Sequence, residues 1–136
     1  MVTNTNKPTA QEIRNNLDQF YGTEAYHVLN ASTILTDGAK YVADSCGAYW
    51  LMDIISSWQT VKTVREEYFQ CWKMTVHTDK NGGKSATIIC EDGNNNFLCK
   101  QNIEYTNFPL GEITLWAEWS SDGNKDILVI YLPSEH

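Results

Sequence analysis

Residues 112–119 read Glu112-Ile113-Thr114-Leu115-Trp116-Ala117-Glu118-Trp119. Successive side chains on a strand point to opposite faces. Ile113, Leu115, Ala117 and Trp119 then share an apolar face, and Glu112, Thr114, Trp116 and Glu118 share the other. That alternation of period two selects a strand over a helix. It also isolates Trp116, a large aromatic on a face otherwise polar and acidic. Either something covers that face or it meets a partner.

Four more segments carry the same period: Tyr68–Thr78, Lys84–Glu91, Asn96–Tyr105 and Asp126–Leu132. The spacers at 79–83, 92–95, 107–111 and 120–124 hold Gly, Asn, Asp or Pro, the chemistry of short turns between antiparallel strands. The expected sheet is a five-stranded antiparallel meander. Ile127–Leu132 is continuously apolar, which places the last strand centrally or covers both its faces. Pro133 ends it. The expected inner face carries Trp72, Met74, Val76, Ala86, Ile88, Cys90, Phe97, Cys99, Ile103, Ile113, Leu115 and Trp119. Lys73, Thr75, His77, Lys100, Asn102, Glu104, Thr114, Trp116 and Glu118 take the outer face.

Upstream the period is helical. Thr9-Ala10-Gln11-Glu12 is a capping-box pattern, and Ile13, Leu17 and Phe20 follow at helical spacing, so a helix is expected from about Thr9 to Tyr21. Residues 32–35 fit a short strand, and Thr36-Asp37-Gly38 a turn. Residues 39–44 fit a strand or the opening of the next helix. That helix starts at Asp44 or Ser45 and runs to about Gln59, with Trp50, Leu51, Ile54, Ile55 and Trp58 as its apolar stripe. The fold class is α+β, with N-terminal helices packed on one face of the sheet. The expected division is a flexible tail at 1–8 and a single α+β domain at 9–136.

The 136 residues carry a net charge of −7, unevenly spread. In 101–136, Glu104, Glu112, Glu118, Asp122, Asp126 and Glu135 oppose Lys125 alone, a net of −5. Nucleic-acid backbones require cations, so direct nucleic-acid binding is not expected. A basic protein surface complements such a chain. No stretch reads as a signal peptide or a membrane helix, which points to a cytoplasmic protein without a membrane partner. Cys46, Cys71, Cys90 and Cys99 are then expected as reduced thiols.

His27, His77 and His136 lack metal-ligand spacing, and no CxxC pair occurs, so no metal or other cofactor is expected. Cys90 and Cys99 flank a turn symmetrically and should be cross-strand neighbours. Cys46, in Asp44-Ser-Cys-Gly-Ala-Tyr-Trp50, is expected at a helix N-terminus, where the dipole lowers a thiol pKa. Catalysis there would need His27 or His77 as a base. Glu66-Glu67, Glu91-Asp92 and Glu112/Glu118 are paired carboxylates in positions typical of solvated charges, and no phosphate-cradling loop is present.

Leu17-Asp-Gln-Phe-Tyr-Gly-Thr-Glu24, Leu35-Thr-Asp-Gly-Ala-Lys-Tyr41, Gly47-Ala-Tyr-Trp-Leu-Met-Asp53 and Leu132-Pro-Ser-Glu135 together resemble a family of small bacterial proteins, a domain of unknown function also met in phages and mobile elements. The resemblance covers the chain from about Glu12 onward and implies no catalytic residues. It implies a genomic setting in which small acidic proteins act as inhibitors of host defence, such as anti-CRISPR proteins. That step is association. The expected function is a non-enzymatic inhibitor that binds a basic host protein, with a nucleic-acid-guided nuclease as candidate. Its contact residues would be Trp116, Glu112, Glu118, Glu104 and Asp122. The alternatives are a cysteine-dependent enzyme using Cys46 and a homo-oligomeric accessory protein with mutually buried outer faces.

Overall fold

The computed structural model describes residues 8–121 and 123–136. The expected tail lies outside them except for Pro8, and so does Asp122. In chain order the elements are α1 (Ala10–Leu17), β1 (Tyr26–Asn30), β2 (Thr33–Thr36), α2 (Asp37–Ser45), α3 (Tyr49–Ser57), α4 (Lys62–Arg65), β3 (Phe69–Thr78), β4 (Lys84–Glu91), β5 (Phe97–Ile103), β6 (Glu112–Ser121) and β7 (Asp126–Tyr131). A 3-10 turn, Pro133–Glu135, follows β7.

The fold is α+β, but the expected five-stranded antiparallel meander is not what forms. The sheet has seven strands in the order β1-β2-β7-β6-β3-β4-β5. It is mixed: β2 runs parallel to β7, and all other neighbours are antiparallel. Residues 107–111 do not make a hairpin turn. They return the chain from β5, at one edge, to pair β6 with β3. Phe108 is fully buried in that crossover and Leu110 nearly so. The Thr106 amide donates to the Lys84 carbonyl and the Val76 amide to that of Gly111, which ties the connection down. Burial of two apolar side chains outweighs the turn chemistry of Pro109 and Gly111. The apolar β7 is indeed central, between β2 and β6.

The helical half also differs from expectation. Thr9 forms its capping box: the Glu12 amide donates to Thr9 Oγ1 and the Thr9 amide to Glu12 Oε1. The helix nevertheless stops at Leu17. The expected single helix from Asp44 or Ser45 to Gln59 is instead two, α2 and α3. Thr36 ends β2 and caps α2, its Oγ1 accepting from the Ala39 amide, so Thr36-Asp37-Gly38 starts a helix rather than a turn. Gly47, at φ +60°, closes α2: the Ala48 amide reaches back to the Ala43 carbonyl, the bond of a Schellman ending. Asp44 and Ser45 thus finish one helix instead of starting the next.

The core is one cluster. Ile13, Val42, Leu51, Met52 and Ile55 from the helices are buried together with Trp72, Met74, Ile88, Cys90, Leu115 and Ile130 from the sheet. Each such aliphatic contributes roughly 1.5–3 kcal/mol on burial. Gln70, also fully buried, joins β3 to α4 and to Gln59 in the turn that follows α3. Its amide nitrogen donates to the Val64 and Glu67 carbonyls, and its oxygen accepts from Trp72 Nε1 and Gln59 Nε2. Satisfying the amide on both sides removes the penalty of burying it.

Phe97 corrects the expected inner face, being 64% exposed. The β4–β5 register shifts after Cys90, so that Cys90 faces Cys99 but Glu91 faces Phe97. The extra residue of a bulge inverts the alternation beyond it. Trp119, expected inside, is half-buried against the core, and its indole nitrogen has no hydrogen-bond partner.

Candidate functional site

β6 is flanked by β3 and β7, which makes Trp116 central on the outer face. Cys71 and Tyr131 are its register partners on the two sides. Edge-to-face contacts surround the indole: Phe69 at 5.2 Å, His136 at 5.5 Å and Tyr131 at 6.0 Å between ring centroids. Such pairs contribute about 0.5–1.5 kcal/mol each beyond their burial. His136, carried over the face by the turn after β7, also stacks on Tyr131 at 6.1 Å. Trp116 is therefore half-covered by its own neighbours.

Glu118 lies two residues further along this face, and its Oε1 accepts from the Tyr131 hydroxyl at 2.5 Å. His136 Nε2 is 3.9 Å from the same oxygen. Burial and this bond to a carboxylate push the Tyr131 phenol well above its ordinary range, so it stays protonated and donates. Cys71, beside Trp116 on β3, has its thiol raised mainly by burial.

The turn after β7 is anchored by Glu135. Its Oε1 accepts from Thr36 Oγ1 at 2.6 Å and from the Leu132 amide at 2.9 Å, and its Oε2 from the Gly38 amide at 3.0 Å. A carboxylate at the start of α2 is favoured by the helix dipole. Gly38 leaves room for it, since a Cβ there would lie 2.5 Å from Glu135 Oε1.

Beside Glu118 and Glu135 lies a groove of about 290 Å³, walled by Tyr26, Tyr68, Tyr131 and His136. Tyr26 and Tyr68 are 60% and 66% exposed.

Of the five contact residues expected from sequence, the structure brings two together, Trp116 and Glu118. Glu112 opens β6 opposite Thr75, about 13 Å from Trp116 at strand rise. Glu104 follows β5 and is exposed beside Tyr105, three strands away. Phe69, Tyr131, His136, Tyr26 and Tyr68 join the site without a signal in the sequence that marks them for it. Tyr131 was hidden in an all-apolar run, and Tyr26 belongs to a strand that went unrecognised.

Cys46 does not start a helix. It is buried at the C-terminal cap of α2, and burial pushes its thiol up to about 11. His27 Nε2 pairs with Asp37 Oδ1 at 2.8 Å and His77 Nε2 with Thr87 Oγ1 at 3.0 Å. The environment that would lower the thiol pKa is absent at this position. Cys90 and Cys99 face each other as expected, both free and buried. The contact with Cys99, and then burial, raise the Cys90 thiol.

Among the described residues, no group of three or more His, Cys, Asp or Glu side chains gathers in metal-binding geometry, and no helix is long and apolar enough to cross a membrane. No curated protein and no solved structure matches the chain. The chain belongs to the family of unknown function DUF6876, whose profile matches residues 11–136.

Proposed function

We propose that the chain is a non-enzymatic protein-binding module that docks a basic partner on the outer face of its sheet, with Trp116 central. The observation that supports this most is the Phe69–Trp116–Tyr131–His136 cluster beside exposed Tyr26 and Tyr68. Clustered aromatics with polar handles are the usual anchors of interfaces. Glu118 and Glu135 supply the acidic rim, in keeping with the charge of residues 101–136. The narrower proposal is an inhibitor from a phage or mobile element acting on a host nucleic-acid-guided nuclease, and its support is the association carried by the family resemblance.

The test is binding of the purified protein to candidate effector nucleases at low and high salt. A complex that forms at low salt, weakens with added salt and is lost in Trp116→Ala supports the proposal. Binding unchanged by that substitution, or no complex with any candidate at low salt, counts against it.

A second reading, self-association, draws on β1. It is an edge strand exposing Tyr26 and Val28, and exposed edges can pair with another chain. Sizing across a concentration series decides this, and a constant monomer mass excludes it.

A further inference from the structure

We infer that the groove between β1 and the turn after β7 holds the guanidinium of an arginine side chain on the partner, with Glu118 as its counter-charge. This rests on the protein-binding reading and names the chemistry of its central contact. The walls are aromatic, from Tyr26, Tyr68, Tyr131 and His136, and two carboxylates border them. Those carboxylates are not equivalent. Both Glu135 oxygens are committed to Thr36, Gly38 and Leu132. Glu118 spends Oε1 on Tyr131, and its Oε2 has no hydrogen-bond partner among the described residues. One carboxylate is thus a structural anchor, and the other keeps an acceptor for a ligand.

The chemistry selects the occupant. An anion would meet two carboxylates. A neutral apolar group would desolvate Glu118 without compensating it. A cation gains both the carboxylate and the ring faces. Guanidinium fits better than ammonium, because its planar fork stacks on aromatics while donating sideways to an acceptor. The Tyr131 hydroxyl, already donating to Glu118, holds that carboxylate in place.

The test uses N-acetyl-arginine N-methylamide, with the neutral citrulline and the lysine analogues as comparators. Each is titrated into the full chain and followed by the amide and indole signals in nitrogen–proton NMR spectra. The expected result is saturable binding of the arginine probe, with shifts centred on Tyr26, Glu118 and Tyr131. Citrulline should bind about tenfold more weakly or worse, and lysine should fall between. Glu118→Gln, which keeps an acceptor for Tyr131, should weaken the arginine probe by about tenfold. Tyr26→Ala, at an exposed position, should weaken it without disturbing the fold. Equal binding of citrulline and arginine, or an arginine affinity unchanged in Glu118→Gln, overturns the inference. A nuclease complex lost in Trp116→Ala but insensitive to Glu118→Gln would leave the proposed function standing and remove this one.

Discussion

The two faces of β6 differ in kind, although the same ten residues build both. On the helix side, Ile113, Leu115 and Ala117 are buried with no polar atom among their side chains. On the other side, Thr114, Trp116 and Glu118 are half-buried, and Trp116 is held by ring edges and Glu118 by one hydroxyl. The inner face gains its stability from excluded water and close packing. The outer face keeps polar atoms within reach of a second molecule. A surface can therefore be well ordered without being finished, and that is the property an interface requires.

The sharpest test of the contrast is Leu115→Ala. It should cost about 2–5 kcal/mol through lost burial and a residual cavity, read as a lower urea midpoint. A loss below about 1 kcal/mol would mean that the core collapses around the gap, and the inner face would not be the close-packed layer described.

Gly38→Ala probes the seam where the turn after β7 meets α2. The added methyl would overlap Glu135 and Leu132. Overpacking of this sort costs about 1–3 kcal/mol. Displacing Glu135 should also move His136 off Trp116, seen as a change in tryptophan emission. Unchanged stability and emission together would show that Glu135 does not anchor the segment.

Trp116→Ala should destabilise less than Leu115→Ala, by about 1–2 kcal/mol, because only part of the ring is withdrawn from water. Its main effect should fall on partner binding. If it costs as much stability as Leu115→Ala and leaves binding intact, the outer face is a second core and the contrast fails.

The smallest effect concerns Asp37. The His27 hydrogen bond, and then the Glu24 amide, hold its carboxyl below the usual carboxylate range. A depressed folded-state pKa gives stability that is present above the unfolded value, about 3.9, and lost as pH falls through the folded one. Asp37→Asn should then be less stable than the parent near neutrality, and the gap should close in acid. A gap independent of pH would point to packing rather than charge.

Much of the sheet was legible in sequence, because period two survives wherever one face is dry and the other wet. β3, β4 and β6 carry that pattern, whereas β7 is legible from its continuous apolar run, which fits its central place in the sheet. The Thr9 capping box was legible for a similar reason, being complete within four residues. Phe97 was misplaced because a bulge changes register without marking the sequence. The break at Gly47 was missed because Asp44 and Ser45 serve equally well near either end of a helix. Trp116 and Glu118 could be found from one strand alone, whereas Glu112 shares that strand face but lies at its far end, and Glu104 shared only its charge with the site.

By itself the sequence determined which residues face in and out along most strands, and that a tryptophan sits on a polar face. Those are local properties, set by the geometry of one strand and the solubility of each side chain. Tertiary structure alone decided the strand order, the parallel pairing of β2 with β7, and the groove beside Glu118. The parallel pairing and the groove join segments about a hundred residues apart, Thr36 to Glu135 and Tyr26 to Tyr131, with Glu135 as the anchor, and the strand order includes the crossover that buries Phe108 and Leu110. No local pattern encodes that competition, because its energy resides in contacts between distant parts of the chain.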